Sequence, residues 1–342
     1  MVTQREIALA LGLSPSTVSR ALAADPRISE ETRARVEEAV KRLRYQPNLL
    51  ASGFRRGITN TIGLVVMDIT NPFYSELARG VEDLAYNQGF SIILCDSDVC
   101  EQREALYLEW LRSRRVDGIL MTPISEDAAS RAMLVEGGVP YVLVDAGDAT
   151  DYASAVTVDH DKGAYLAVQH LLSLGHTRIA FVGGDLHISP VRRMFSGFRR
   201  ALAETGLKVE ASWVCEETTE MHGGYVAVQK LLDQRNRPTA ALFISDLTAI
   251  AAMSALEEHG LRVPEDFSVV GYDNIQMGAL VKPALTTVAQ DQYQLGQIST
   301  RILIHEIRSG TSKIHQRVLL QPHLVVRASS GAKSIAAQEG SG

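Results

Sequence analysis

The dominant pattern along the chain is an alternation, starting at Thr61, of short apolar runs with amphipathic segments of helical spacing. Apolar runs such as 62–67 have the length and composition of buried strands, while 72–88 repeats its apolar positions at the helical interval. Continuously apolar strands between helices indicate parallel sheets that are covered on both faces. The alternation runs through twice, which predicts an α/β core of two similar lobes.

The individual elements follow from where each run begins and ends. Gly89 is placed to close the first long helix of the core, because glycine readily adopts the left-handed conformation found at helix ends. We predict strands at 62–67, 91–95, 116–121, 139–144, 178–182, 240–244, 267–271, 318–320 and 324–326, and helices at 72–88, 98–114, 125–136, 162–174, 192–205, 223–233, 247–259 and 292–308.

Polar and aromatic side chains collect where the predicted strands end. Ligands of open parallel sheets bind at the carboxyl ends of the strands, so we expect a binding cleft between the lobes. Carboxylates, amides, arginines and aromatic rings together suit a small polyhydroxy or heterocyclic ligand. The alternative for any single residue is a helix cap, and Asn71 and Asp246 each precede a helix. The candidates are Asp68, Thr70, Asn71, Phe73, Tyr74, Asp96, Thr122, Asp159, Arg192, Arg193, Asp246, Asp273 and Asn274.

The start of the chain contains two short helical segments joined by a turn. Thr3 and Glu6 have the spacing of a capping box for the first segment. Ser14 is placed to cap the second, and Pro15 takes its first position, where a missing amide hydrogen is harmless. Two such helices form a helix-turn-helix, whose second helix meets base edges in the major groove. The alternative is the solvated face of a small helical bundle.

A third helix and a connecting segment follow. Ser29 caps the predicted helix 26–46, whose apolar stripe needs the first two helices as a partner. Segment 49–56, capped by Asn48, is too short to be a stable helix alone. It combines Phe54 with two arginines, so it could fold on DNA as a hinge whose aromatic ring parts base steps in the minor groove. The alternative is an ordinary linker whose aromatic ring packs on the core.

Charge and candidate chemistry narrow the function. Residues 1–60 carry ten Lys and Arg against six Asp and Glu, whereas the whole chain has a net charge of −6. A basic head before an acidic core favours contact of the head with a polyanion. The three cysteines have no metal-ligand spacing and fit a reducing cytosol. We find no nucleophile elbow, zinc-binding helix motif, P-loop, transmembrane helix or signal peptide, so an enzyme has little support.

Eight stretches of the sequence resemble the LacI/GalR (lactose-repressor-like) family of transcription factors, and together they extend over residues 2–327. One such match would be weak, whereas eight in the right order are highly specific. The stretches are Leu13-Ser14-Pro15-Ser16-Thr17-Val18-Ser19-Arg20, Ser29-Glu30-Glu31-Thr32-Arg33, Tyr45-Gln46-Pro47-Asn48, Thr61-Ile62-Gly63-Leu64-Val65, Asn71-Pro72-Phe73-Tyr74, Gly175-His176-Thr177-Arg178-Ile179-Ala180, Gly271-Tyr272-Asp273-Asn274 and Pro283-Ala284-Leu285-Thr286-Thr287-Val288.

The resemblance implies a multidomain protein with an all-α helix-turn-helix head, a hinge helix and a two-lobed α/β core like that of periplasmic binding proteins. Phe54 of the hinge stands where the family usually has a minor-groove leucine. The expected boundaries are 1–46 for the head, 47–60 for the hinge helix and linker, 61–327 for the core and 328–342 for a disordered tail. Within the core we expect a first lobe of about 61–159 and 290–317, and a second of about 160–289 and 318–327.

The resemblance also implies the DNA contacts. Pro15, Ser16 and Arg20 match base-reading positions, with Arg20 expected on a guanine and Pro15 limited to apolar contact, for example with a thymine methyl group. Thr17 and Ser19 are expected on phosphates. The full predicted DNA-binding set is Ser14, Pro15, Ser16, Thr17, Ser19, Arg20, Asn48, Ala51, Phe54 and Arg55.

The same resemblance implies effector contacts in the core. The matching positions are Phe73, Tyr74, Asp246 and Asp273. The family has an arginine before a Gly-Phe pair, but here Met194 falls on the strict position, and a shift of one residue would place Arg193 there. The predicted effector-binding set is Thr70, Phe73, Tyr74, Asp96, Thr122, Asp159, Arg193, Asp246 and Asp273.

The family likeness thus implies a cytoplasmic, sequence-specific regulator, a repressor that binds a pseudo-palindromic DNA operator as a homodimer, with a tetramer as an alternative. We expect no cofactor and no metal. A small effector, such as a sugar, a nucleoside or a related metabolite, would shift operator affinity by rearranging the lobes and the hinge. Whether it releases the operator or promotes binding stays open. The rival class is a sugar- or nucleoside-binding transport protein, which shares the core but lacks the head.

Overall fold

A computed structural model of the chain describes residues 2–22, 25–43, 45, 58–125, 134, 137–146, 153–216, 221–310 and 314–333. These residues belong to two compact units, 1–59 and 60–342. The predicted hinge residues Asn48, Ala51, Phe54 and Arg55 lie outside the described residues, as does most of the predicted helix 125–136.

Three helices build the described part of the first unit: α1 (Gln4–Leu11), α2 (Pro15–Leu22) and α3 (Glu30–Arg42). The predicted caps are present, since Thr3 and Glu6 form the capping box and the Ser29 hydroxyl accepts a hydrogen bond from the amide of Thr32. Helix α3 is shorter at both ends than predicted, and at its start residues 26–28 form a turn and a bend before the extended cap residue Ser29. The three helices share a small apolar core, which confirms the predicted head.

The second unit contains two sheets. The first sheet and its helices come from β1 (Thr61–Val66), α4 (Pro72–Asn87), β2 (Ser91–Asp96), α5 (Glu101–Ser113), β3 (Gly118–Met121), β4 (Tyr141–Val144) and β5 (Ser154–Val158). The second comes from α6 (His160–Ser173), β6 (Ile179–Gly183), α7 (Ser189–Glu204), β7 (Val214–Glu216), α8 (Met221–Leu232), β8 (Ala240–Phe243), α9 (Asp246–Glu258), β9 (Ser268–Asp273), α10 (Gln276–Leu280) and β10 (Thr286–Ala289). The chain ends with α11 (Gln292–Ser309), β11 (Arg317–Leu320) and β12 (His323–Val325).

The two sheets have the same strand order, which confirms the prediction of two similar lobes. The first runs β11-β5-β4-β3-β1-β2, and the second runs β12-β10-β9-β8-β6-β7. All neighbouring strands are parallel except β10 and β12, which are antiparallel. Each sheet has an apolar cluster on both faces, as the continuously apolar strands predicted.

Three strands were missed by the sequence analysis: β5, β7 and β10. Strand β7 has only three residues, too few to show a period. Strand β10 begins with Thr286 and Thr287, so it lacks a continuous apolar run, yet both side chains are fully buried. Their hydroxyls are hydrogen-bonded to Ser330 and Asp246, which makes burial of these polar groups acceptable.

The predicted boundary between the lobes at residue 317 is wrong. Strand β11 pairs in parallel with β5, so 317–320 belongs to the first lobe rather than the second. The chain crosses to the second lobe after Leu320, and β12 then pairs with β10. Helix α11 packs on α4 and on strands β3 to β5, as predicted for the first lobe.

The disordered tail predicted from 328 onwards is wrong for residues 328–333. Ser329 is fully buried, where its hydroxyl donates to the carbonyl of Val269 at 2.6 Å and accepts from the amide of Thr286 at 2.8 Å. The amide of Lys333 donates to the carbonyl of Leu174. The segment looked disordered because its composition is polar, but these bonds to the second lobe fix it.

Among the described residues, no helix is long and apolar enough to cross a membrane.

Candidate functional site

Helix α2 separates a buried face from an exposed polar face. Val18 and Ala21 are buried in the apolar core of the head. Ser16 and Arg20 are exposed, and their spacing of four residues puts them on the same side of the helix. Pro15 is exposed at the first helical position. All three predicted base-reading side chains therefore stand outside the core.

The hydroxyl groups at the start of α2 are hydrogen-bonded to one another. The Ser14 hydroxyl accepts from the amide of Thr17 at 3.1 Å, which confirms it as the cap. It also lies 2.7 Å from the Ser16 hydroxyl and 2.8 Å from the Thr17 hydroxyl. This network holds the first turn of the helix, so the exposed side chains start from a fixed backbone.

A cleft lies in the second unit at the carboxyl ends of the parallel strands of both lobes. About 650 Å³ of empty space lies within it, a figure that includes open solvent. Its lining residues are Met67, Asp68, Asn71, Phe73, Tyr74, Val99, Asp145, His160, Ile188, Pro190, Val191, Met194, Ile244, Ser245, Asp273 and Gln290.

The wall from the first lobe is formed after β1 and at the start of α4. Asn71 caps α4 by accepting the amide hydrogen bond of Phe73 at 2.9 Å, and it also lines the cleft. The rings of Phe73 and Tyr74 pack edge to face, with centroids 4.9 Å apart and planes at 87°. This arrangement is a favourable one for aromatic rings, and it fixes an apolar surface for a ligand.

Four residues of the predicted effector set are occupied elsewhere. The Thr70 hydroxyl donates to Asp68 at 2.6 Å, and the Asp96 carboxylate accepts from the amide of Asp98. The buried Thr122 hydroxyl donates to the carbonyl of Val65, and the Asp159 carboxylate caps α6. None of these four side chains is among the cleft-lining residues in the part of the chain that the structure describes.

Helix α7 turns its apolar face to the cleft. Pro190, Val191 and Met194 line the cleft, because positions three and four apart share one face of a helix. Arg193 is half-buried and does not line it. The strict alignment with the family motif is therefore the one the structure supports, and the shift that would bring Arg193 to this position is not needed.

Asp246 lies behind the cleft rather than in its wall. The cap-only alternative is wrong for this residue, because Ser245 caps α9 and Asp246 is its first helical residue. Its fully buried carboxyl group accepts from the Thr287 hydroxyl at 2.6 Å and from the amide of Ile275 at 2.8 Å. Burial raises the pKa of this carboxyl to about 7. A side chain on Gly271 would collide with it, which explains the glycine of this motif.

The loop that Asp246 holds carries Asp273 into the cleft. Asp273 has a φ of +108° and Asn274 a φ of +55°, so the backbone adopts the left-handed region that non-glycine residues avoid. Such conformations persist where surrounding contacts enforce them, and they cluster at functional sites. The Asp273 carboxylate accepts from the Gln290 side-chain amide at 2.6 Å. Burial raises the pKa of Asp273 well above its usual range, and the charge of Asp246 raises it further.

Asp145, His160 and Gln290 are among the lining residues that the sequence analysis missed. The His160 ring is buried between the Asp145 carboxylate at 2.8 Å and the Tyr272 hydroxyl at 3.3 Å. Asp145 directly follows the predicted strand 139–144, so its position at a strand end was a usable signal. Gln290 follows β10, which was itself missed, so the sequence offered no equivalent sign.

Comparisons with known proteins agree with this architecture. Residues 3–48 match the domain of bacterial regulatory proteins of the lacI family, and 168–330 match the periplasmic binding protein-like domain. The ribose operon repressor of Escherichia coli (strain K12) is 36% identical over 331 residues, which cover 96% of this chain and 100% of that protein. The chain belongs to the LacI family. The resemblance inferred from the sequence is thereby confirmed.

Solved structures extend the likeness of this LacI-family chain. The lac repressor dimer bound to operator and the anti-inducer ONPF is 29% identical, with a TM-score of 0.87 over 97% of this chain and 99% of the other. A LacI family regulator from Enterococcus faecium with bound ribose is 36% identical, with a TM-score of 0.72 over 80% and 99%. The predicted fold is confirmed, and the protein is a DNA-binding transcriptional regulator with an effector-binding core.

Proposed function

We propose that this LacI-family chain acts in the cytoplasm as a repressor of a two-fold symmetric operator. A small hydroxylated metabolite that binds in the cleft changes its affinity for that operator. The protein binds that operator as a homodimer. The observation that carries the proposal is the combination, in one chain, of an exposed polar helix α2 with a cleft of buried hydrogen-bond acceptors. The relatives are repressors, so we assign binding rather than catalysis to the cleft.

On the DNA side, α2 enters the major groove. Arg20 reads a guanine through its guanidinium, since arginine bonds guanine at two acceptors, and Ser16 reads a neighbouring base. Pro15 offers an apolar contact to a thymine methyl group. Thr17 and Ser19 contact phosphates, and the hinge residues Asn48, Ala51, Phe54 and Arg55 complete the interface in the minor groove.

On the effector side, the two lobes offer different contacts. The edge-to-face pair of Phe73 and Tyr74 in the first lobe covers an apolar face of the ligand. Asp273 and Gln290 accept hydrogen bonds from its hydroxyl groups, a role that suits their burial in a cleft. The name of the ribose operon repressor and the ribose-bound relative favour a ligand of monosaccharide size.

A ligand that touches both lobes binds best to one arrangement of them, so it shifts the population toward that arrangement. The free energy of this preference sets how strongly the effector changes operator affinity, and linkage requires the operator to change effector affinity equally. The lobe arrangement thus couples the two sites.

The test uses the full-length protein. We expect it to enrich a pseudo-palindromic sequence from a random DNA pool, and fluorescence anisotropy should show that at least one sugar or nucleoside changes operator affinity tenfold or more. The variant Phe73→Ala should keep operator binding but lose that response. A protein that selects no DNA sequence, or whose operator affinity no such ligand changes, would contradict the proposal.

A further inference from the structure

The described wall of the cleft carries acidic groups without basic ones to balance them. Asp68, Asp145 and Asp273 line it, and no lysine or arginine is among the lining residues that the structure describes. His160, the one imidazole among the described lining residues, is hydrogen-bonded to Asp145 and Tyr272. Met194 presents a thioether where helix α7 faces the cleft, and no arginine of this helix is among the described lining residues.

A buried acceptor in the same wall is left without a donor. Gln290 is 7% exposed, and its side-chain nitrogen donates to Asp273 at 2.6 Å. Its carbonyl oxygen has no hydrogen-bond partner among the residues that the structure describes. Buried acceptors are rarely left unpaired, because the lost hydration is not repaid. Because the nitrogen of the same amide group is bonded to Asp273, the unpaired oxygen belongs to the group that contacts that carboxyl.

The acidic side chains of the cleft raise the pKa values of the neighbouring groups Asp273 and Tyr74. Burial raises the pKa of Asp273 well above its usual range, and the charges of Asp246 and Asp145 add to that effect. Burial likewise raises the pKa of the Tyr74 hydroxyl, with contributions from Asp145, Asp273 and Asp68. Both directions mean that the cleft resists further negative charge, and a positive charge on a ligand would relieve this repulsion.

We propose that the effector carries a protonated amine as well as hydroxyl groups, so that the cleft selects an amino sugar or a similar aminated polyol over neutral and anionic counterparts. The ammonium group donates to Asp273 and to the free oxygen of Gln290, as a charge-assisted hydrogen bond. The rings of Phe73 and Tyr74 favour a cation near their faces. The inference rests on the proposed function, in which this cleft binds the effector.

Matched sets of ligands test the selectivity by calorimetry on the full-length protein. Glucosamine, galactosamine and mannosamine are compared with their parent hexoses and hexose 6-phosphates, and 1-amino-1-deoxypentitols with pentitols and pentitol phosphates. We expect at least one amine to bind at least tenfold more tightly than its neutral partner, and the phosphates not to bind.

Binding of the amine should also depend on pH. The positive charge of the bound ammonium group lowers the pKa of Asp273, so binding should release protons. Amine affinity should therefore rise with pH for as long as the amine stays protonated.

Two variants test whether the charge of the cleft wall, rather than its shape, decides which ligands bind. Asp273→Asn keeps the size of the side chain, and it should lower amine affinity at least tenfold while it removes the difference between amine and neutral ligand. Met194→Arg should transfer the preference to the phosphates. Asp266→Asn is the matched control, since this exposed carboxylate is bonded to Arg262 and lies outside the cleft wall. It should leave the ligand preference unchanged.

A neutral hexose or pentitol that binds as tightly as its amine overturns the inference, and so does a panel in which no amine binds. Measurements of operator binding test the proposed function separately. If the protein retains its selected operator and a neutral sugar releases or strengthens it, the proposed function stands while the amine preference fails. Loss of sequence-selective DNA binding would instead count against the proposed function.

Discussion

Helix α2 and the interlobe cleft both present polar side chains, but they do so in opposite ways. The hydroxyls at the start of α2 are exposed and bonded to partners within three residues, as Ser14 is to Thr17. The cleft gathers buried groups that are far apart in sequence, as Asp145 is from His160 and Asp273 from Gln290. A surface that reads DNA needs side chains free to reach outwards, whereas a small-ligand site gains strength from exclusion of water.

Two aspartates show the same contrast electrostatically. In the head, hydrogen bonds from Arg27 hold the pKa of Asp25 well below its usual range. In the core, burial raises the pKa of Asp246 to about 7 although it accepts two hydrogen bonds. A nearby guanidinium stabilises the charged form, whereas removal from water destabilises it. The surroundings of an aspartate, and not the side-chain type, therefore decide whether its pKa is raised or lowered.

The largest effect we expect is a pH dependence of core stability. Because the folded state raises the pKa of Asp246 from 3.8 to about 7, it binds this proton more tightly than the unfolded chain. The free energy of unfolding of the core should fall as pH rises between these values, by roughly 1.4 kcal/mol for each pKa unit of the shift. Urea unfolding followed by tryptophan fluorescence measures it, since both tryptophans, Trp110 and Trp213, lie in the second unit.

Asp246→Asn should make that pH dependence shallower, while the raised pKa of Asp273 still contributes a fall in the same direction. Asp266→Asn is the control, because the pKa of this exposed carboxylate is lowered by Arg262 and its loss cannot remove a fall in stability with rising pH. A pH profile for Asp246→Asn that matches the wild-type profile would show that another group causes the dependence.

The next effect concerns the DNA-reading face. Arg20→Ala should weaken operator binding by about 10- to 100-fold, because a good bidentate contact to a base discriminates by about 1–3 kcal/mol. Fluorescence anisotropy with the selected operator measures it. Arg27→Ala is the matched control, since its guanidinium already bonds Asp25 at 2.8 and 3.0 Å. Operator affinity for Arg20→Ala equal to that of the control would remove this residue from the base-reading set.

The smallest effect should follow from loss of the α2 cap. Ser14→Ala removes the acceptor of the Thr17 amide, which should destabilise the helix by about 1 kcal/mol. Hydrogen exchange should show faster exchange at the start of α2, while tryptophan fluorescence of the core is unchanged. Ser16→Ala serves as the control, because that hydroxyl accepts no backbone bond in the first turn. Equal exchange in both variants would argue against the cap.

The agreement between sequence and structure was best where hydrogen bonds are local. The capping box of Thr3 and Glu6, and the caps Ser14, Ser29 and Asn71, depend on partners within three residues, so their spacing alone identified them. Phe73, Tyr74 and Asp273 were also placed correctly at the cleft, on the basis of strand ends and family likeness. Strand β11 was assigned to the wrong lobe because its partner β5 is more than 150 residues away in sequence.

The sequence by itself determined the class of the protein: a helix-turn-helix head, a doubly repeated α/β core and the LacI family, all encoded in local periodicity and motifs. Only the tertiary structure decided that Asp246 supports the Asp273 loop from behind, that Met194 rather than Arg193 faces the cleft, and that Gln290 keeps a free acceptor. The reason is physical: a cap needs a neighbour along the chain, whereas burial and charge in a cleft arise only when distant strand ends meet.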